Sequence, residues 1–372
     1  MTVNADWRAR LADPSALAAA DPGGMLARLA GFAALLRDAR TLALPAGWEP
    51  GAATRPSPAR LLVGGMGGSA IAGELLGGFY AAGGSARAHL QLVRDYRLPP
   101  LRRGDALVLC SYSGETEEVL ALLDEARRAG LEPLLVTVGG SLAARAPGAV
   151  HFGLPAGHPP RAALPALLGR LLAIGAGLGL HDPADEDLDG LVAALDSRWT
   201  ALAPARGVDD NPAKAMALAL GERRPVFCAM AQAFEAVALR LRCQCEENAK
   251  RSASRRSLPE LHHNSWVPWA DGDLAGLPVW VGAADAHPRV LLRRRLTDAL
   301  LAARGVTPLE IPATGGALLT RMLTTVLAGD TLSVYHALMR GVDPTPVTPL
   351  VAMKERLAAS HDPATPPDQE SA

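Results

Sequence analysis

Three groups of residues in this sequence are of types that can do chemistry together. The first is a carboxylate, a histidine and a lysine in the second half of the chain. Glu247 stands in Cys243-Gln244-Cys245-Glu246-Glu247-Asn248-Ala249-Lys250. His263 follows in Pro259-Glu260-Leu261-His262-His263-Asn264, and Lys354 lies near the C-terminus. A carboxylate can carry a proton between adjacent carbons of a sugar, while a histidine and an ammonium handle the ring oxygen and hydroxyls. Arg161, in Gly157-His158-Pro159-Pro160-Arg161, is of the type that stabilises an enediolate oxygen. The same residues have blander uses. A Glu on an Arg-rich helix is most often a solvated charge, and a His–His pair in a loop is often only surface. Zinc held by Cys243, Cys245, His262 and His263 is a further alternative. Against it, Cys-x-Cys on a helix directs its thiols to different faces, and the C-x₂-C spacing is missing. The expectation is therefore no metal and no cofactor.

The second and third groups are loops suited to an anion. An apolar strand runs into Gly64-Gly65-Met66-Gly67-Gly68-Ser69-Ala70 and then a helix. Glycines Gly67 and Gly68 allow close backbone approach, the helix start offers free N–H groups, and Ser69 adds a hydroxyl. Gly65-x-Gly67-x-x-Ala70 also fits the loose dinucleotide fingerprint, but the acidic residue that this expects has only the late Asp95 as a candidate. A Gly-rich turn for tight strand–helix packing is the plain alternative. The second loop is more discriminating. The strand Ala106–Cys110 ends in Ser111-Tyr112-Ser113-Gly114-Glu115-Thr116, again before a helix. Three hydroxyls bracket a glycine, a pattern that can wrap a phosphate monoester. No lysine or metal motif accompanies it, so it is not a nucleotide P-loop. Thr116 also fits a helix N-cap, with Glu117 and Glu118 in the first turn.

These groups must be positioned by elements that the hydropathy pattern makes legible. Strand-like runs alternate with helical ones: 60–65, 89–95, 106–113 and 133–140 are strands, with a shorter one at 149–155. The runs 69–82 and 115–130 between them are helical, and a helix-like stretch covers 161–180. After a further helix at 187–203 the pattern restarts. Strands fall at 224–230, 277–283 and 307–313. Helices fall at 233–253 and 288–305, and a helical block at 315–340. Strands alternating with helices imply a parallel sheet with helices on both faces, and ligands bind at the carboxyl ends of such strands. The expected fold class is α/β, with two doubly wound units in series. Residues 1–23 read as a polar, Ala-rich lead-in, 24–185 as the first domain, 186–357 as the second, and 358–372 as a disordered tail.

Composition agrees with this. The chain has 372 residues, 49% of them apolar, enough for two sizeable cores. A net charge of −1 gives no overall basic footprint for nucleic acid. Apolar stretches are broken before membrane-spanning length, and four cysteines are too few for a disulfide scaffold, so a cytoplasmic protein without membrane is expected. Of 37 basic residues only Lys214, Lys250 and Lys354 are lysines. A lysine that survives such a bias is a candidate for work that a guanidinium cannot do.

The ordered set GGMGGSAIAGELL, SYSGETEEVL, GHPPR, EENAK, PELHHN, GDTLSVYHAL and GVDPTPVTPLVAMKERL resembles the bifunctional phosphoglucose/phosphomannose isomerases of the sugar isomerase (SIS) superfamily. The resemblance spans about residues 22–357. It implies two SIS domains in a homodimer with active sites shared between subunits. It implies a cofactor-free interconversion of glucose 6-phosphate and mannose 6-phosphate with fructose 6-phosphate. Ser69, Ser111, Ser113 and Thr116 fall on its substrate-binding positions, the last three on its phosphate loop. Glu247 falls on its base and Arg161 on the arginine near the enediolate. His263 falls on its ring-opening histidine, typically contributed by the partner subunit, and Lys354 on its C-terminal lysine. Two positions depart from the family: Glu246 stands where Asn is common, and His262 precedes the family histidine. Adjacent carboxylates lie ~100° apart on a helix, so only one of Glu246 and Glu247 can face a site. Three rival readings stand beside this one: a non-catalytic SIS regulator that keeps only the phosphate loop, an isomerase of another aldose phosphate, and a dinucleotide enzyme.

Overall fold

The computed structural model describes residues 5–48, 57–83 and 89–359. Four helices come first: α1 (Ala5–Ala12), α2 (Pro14–Ala20), α3 (Met25–Ala30) and α4 (Phe32–Thr41). The first α/β unit follows, with β1 (Arg60–Gly65), α5 (Gly67–Gly83), β2 (His89–Val93), β3 (Asp105–Cys110), α6 (Glu117–Arg128), β4 (Leu134–Thr137), α7 (Gly140–Arg145), β5 (His151–Gly153) and α8 (Leu164–Gly177). Helices α9 (Leu188–Leu202) and α10 (Pro212–Leu220) lead into the second unit. It comprises β6 (Pro225–Ala229), α11 (Phe234–Glu247), β7 (Ser254–Ser257), α12 (Trp266–Asp271), β8 (Leu277–Val281), α13 (Pro288–Ala302) and β9 (Leu309–Ile311). The long α14 (Leu318–Met339) and α15 (Thr348–Ala359) close the described chain.

Both sheets are parallel throughout, in the orders β2-β1-β3-β4-β5 and β7-β6-β8-β9. The strand order reverses between β1 and β3 in the first sheet and between β6 and β8 in the second. Such a reversal opens a crevice at the carboxyl ends of the strands. Alternate side chains bury on opposite faces, as the period of two dictates. Leu61 and Val63 of β1 join the core under α5 and α8, while Leu62 packs with Val119, Leu122 and Leu123 of α6. In the second sheet Phe227 and Val279 face the shared core, while Cys228 and Trp280 pack with Leu258, Leu261 and Trp269. The expected α/β class with two doubly wound parallel sheets is what forms.

Helix α14 is buried along nearly its whole length and touches α1, α2, α3, α5, α9, α10 and α11. It is the axis on which both halves meet. Its one carboxylate, Asp330, is buried and takes a bidentate pair from Arg240 of α11, at 2.8 and 3.1 Å. Among the described residues no helix is long and apolar enough to cross a membrane.

Four local readings change. Residues 5–20, part of the segment read as a polar, Ala-rich lead-in, form two helices with Leu11 and Leu17 fully buried. The long helix read over 233–253 stops at Glu247, because Lys250 turns the backbone to φ +53° and the chain re-enters the sheet as β7. Helices α10 and α12 form where no element was read. Asn211 caps the first of them, accepting from the N–H groups of Ala213 and Lys214, with Pro212 at its first position. Helix α15 continues to Ala359. The remainder of the expected disordered tail, 360–372, lies outside the described residues.

Candidate active site

The hydroxyl loop sits where β3 ends, beside the first sheet's crevice. Ser111 is buried, and its Oγ lies 2.8 Å from Thr116 Oγ1 while accepting the Gly114 N–H at 3.1 Å. Ser113 Oγ accepts the Glu115 N–H at 3.2 Å. Thr116 occupies the N-cap position of α6, yet no side chain caps that helix, since the Thr116 hydroxyl is engaged by Ser111. The positive end of α6 therefore stays open to an anion beside the hydroxyls. Gly114 has φ +77°, and a Cβ there would stand 2.0 Å from the Gly139 carbonyl oxygen. The loop is thus locked against the β4–α7 turn. Glu115 secures the same contact, accepting from the Ser141 N–H at 2.7 Å and its hydroxyl at 2.6 Å, which holds the Glu115 carboxyl below its usual range.

The glycine loop forms the other lip of the crevice. Ser69 lies buried in the first turn of α5. A Cβ on Gly68 would sit 3.0 Å from the Pro160 carbonyl oxygen, so this glycine lets the 157–161 segment pack directly on the loop. The hydroxyl loop reaches the same segment through Tyr112, whose hydroxyl donates to the Pro155 carbonyl and accepts the His158 N–H, both at 2.9 Å.

Arg161 is brought in by these contacts and is only 3% exposed. Its Nε donates to Asn248 Oδ1 at 2.7 Å, and its Nη2 donates to the carbonyls of Pro344 and Thr345, also at 2.7 Å. Arg240 binds the Arg161 carbonyl oxygen. Nη1 faces the Glu247 carboxylate at 3.9 Å. Burial pushes the Arg161 guanidinium below its ordinary value, and Glu247 opposes that. Glu247 ends α11 and is partly exposed, whereas its neighbour Glu246 turns to Arg242 at 3.6 Å on the outer face of the helix. Only one of the two adjacent acids faces Arg161. Both line the rim of an open cavity of about 590 Å³, together with Lys250, Ser252, Pro346 and Val347.

Two expected members stand apart. His263 is exposed in the turn after β7, and its side chain makes no hydrogen bond, ion pair or ring contact among the described residues. Lys354 is exposed on α15. Among the described residues neither has a hydrogen bond or ion pair with Glu247, whose ion-pair partner is Arg161. His262, by contrast, is committed to packing. Its Nε2 lies 2.8 Å from Thr297 Oγ1, its Nδ1 lies 3.2 Å from Arg293, and its ring packs on Trp266. Burial, with Arg293 next, lowers its pKa. Among the described residues no three His, Cys, Asp or Glu side chains converge as a metal site, and burial pushes the Cys245 thiol up.

Comparison with known proteins now adds to this geometry. The family description "Bacterial phospho-glucose isomerase C-terminal SIS domain" matches residues 209–357. A bifunctional phosphoglucose/phosphomannose isomerase of Caldicellulosiruptor bescii is 32% identical over 82% of this chain and 91% of its own length. One of Aquifex aeolicus is 33% identical over 79% of this chain and 88% of its own. The chain belongs to the bifunctional phosphoglucose/phosphomannose isomerase family. Its fold is also similar to the C-terminal domain of glucosamine-fructose-6-phosphate aminotransferase from Francisella tularensis. That likeness has a TM-score of 0.64 and 16% identity, and covers 86% of this chain and 97% of that one. The neighbours of the two expected site residues, Glu246 and His262, have partners of their own, Arg242 for the first and Thr297 and Arg293 for the second. Lys250, to which the sequence gives no role in the site, lines the same cavity. The rarity of lysine in the chain was its only signal.

Proposed function

We propose that this chain is an aldose–ketose isomerase that interconverts glucose 6-phosphate and mannose 6-phosphate with fructose 6-phosphate through a cis-enediolate. The phosphate would lie against Ser111, Ser113, Thr116 and the start of α6, with Gly67, Gly68 and Ser69 lining the other lip. Glu247 takes the C2 proton of the open-chain aldose. The C–H electron pair becomes the C1–C2 double bond, and the carbonyl oxygen takes the negative charge. A proton moves from O2 to O1, and Glu247 returns its own proton to C1. Loss of the C2 stereocentre in the enediolate lets one base serve both epimeric aldoses. Arg161 Nη1 stabilises the anion. His263 of the partner subunit and Lys354 open the ring, which fits their exposure on one chain and requires a homodimer with shared sites. The proposed division into domains falls between residues 185 and 186, and the proposed compartment is the cytoplasm.

One observation carries this reading: a carboxylate held 3.9 Å from a buried guanidinium on the rim of a cavity. A coupled assay of purified protein on each aldose phosphate tests it, with Glu247→Gln beside the native protein. The variant is expected to fold and bind sugar phosphate but to lose about 10²- to 10⁴-fold in turnover. Near-native turnover would remove Glu247 from the role of base. Binding without turnover in the native protein would favour a sugar-phosphate sensor.

A further inference from the structure

The lysine that turns the chain out of α11 carries an inference beyond the family's roles. Lys250 is one of two non-glycine residues with positive φ among those described, at +53°. This is the left-handed region, where a side chain with a Cβ is disfavoured and glycine is the easy choice at a helix end. The side chain folds back over the turn. Its ammonium donates to the Glu247 carbonyl at 2.5 Å and to the Pro344 carbonyl at 3.1 Å. Pro344 is also one of the carbonyls held by Arg161. Arg161 and Lys250 thus hold the same strap of chain through one shared carbonyl. An ammonium has three N–H donors, and these two carbonyls use two. The residue lines the cavity beside Glu247. Arg161, in contrast, is buried and has only Nη1 free of the Asn248, Pro344 and Thr345 oxygens.

We propose that Lys250 is a second cationic donor to the enediolate, its third N–H directed to the oxygen that gains charge as Glu247 removes the proton. It complements Arg161: one cation is fixed by burial, and the other is a compact ammonium on the open side. This rests on Glu247 as base. The donor is held in place before reaction by the two carbonyls, so it stabilises the charge without reorganising.

The test measures both substrate and a mimic of the intermediate. A five-carbon sugar-phosphate hydroxamate, whose planar oxygens imitate the enediolate, serves as the mimic. Lys250→Met is expected to lower kcat ten- to a hundredfold, leave KM within threefold, and weaken the hydroxamate at least tenfold. Lys250→Arg should recover part of the loss. Lys250→Gly relieves the backbone and keeps the fold, and it should be as impaired as Lys250→Met. Unchanged kcat in the Met and Gly variants would overturn the proposal. So would equal weakening of substrate and hydroxamate, which would mark a role in shaping the turn alone. Glu247→Gln, assayed in parallel, keeps the two readings separate. If it stays active the base assignment fails, whereas a dead Glu247→Gln with an active Lys250→Met fails only the lysine.

Discussion

Arg161 commits three of its five N–H groups to fixed oxygens and keeps the rest for the site. It both positions the 344–345 strap and faces the base. Replacement by lysine keeps the charge but cannot serve Asn248, Pro344 and Thr345 together. Arg161→Lys is therefore expected to lose about 3 kcal/mol of stability, from buried acceptors left unpaired, in addition to turnover. Urea unfolding separates the two losses, and an unchanged midpoint would show that the strap holds without this residue. The residue types of this site were legible in the sequence: Arg161 and Glu247 were chosen there, and the structure places them face to face. Lys250 was not chosen, because its role depends on a left-handed φ that composition does not encode. Lys214 has a different use: it is fully buried and donates to the carbonyls of Pro204 and Arg206, with its ammonium over the ring of Tyr335. That is a structural use of an ammonium.

Loops decide how the elements serve the site. The hydroxyl loop is rigid because Gly114 is pressed on the β4–α7 turn, and Gly114→Ala must push that turn away. The expected outcome is a KM for sugar phosphate raised at least about tenfold, with the helices intact by circular dichroism. A KM within twofold would mean that the loop's shape is not what holds the phosphate. The core strands were readable because β1, β3, β4, β6 and β8 are buried apolar runs. Strand β7 was not, since Ser254-Arg255-Arg256-Ser257 has no apolar alternation. It is an edge strand whose pairing with β6 is a backbone matter, and its arginines suit an exposed edge. Helices α1 and α2 escaped notice because single leucines, Leu11 and Leu17, anchor Ala-rich segments whose burial depends on α14, more than 300 residues away.

At the scale of the whole molecule, two behaviours follow. His336 is fully buried in α14, with Nε2 at 2.8 Å from the Gly221 carbonyl, and burial lowers its pKa from 6.5 to about 4. Between those values the unfolded chain takes up a proton that the folded chain refuses. Its contribution is complete above about 6.5 and is lost as pH falls toward 4, by up to about 1.4 kcal/mol per pH unit. Unfolding titrations of His336→Leu should show a shallower slope in that window; an equal slope would assign the acid sensitivity elsewhere. The second behaviour concerns assembly. If each site takes Glu247 from one chain and His263 from the other, mixing inactive Glu247→Gln with inactive His263→Asn restores one intact site per mixed dimer. Unfolded and refolded together, the pair should regain about a quarter of native activity. No recovery would place both residues on one chain.

The buried axis α14 also has a consequence for synthesis. The first sheet, α1 and α2 leave the ribosome long before residues 318–339, yet α1, α2, α3 and α5 all rest on that helix. Until it emerges, the apolar surface that each of them turns to α14 has no cover. The nascent chain is then a substrate for chaperones, and a message truncated before codon 318 yields an aggregating product rather than a folded first half.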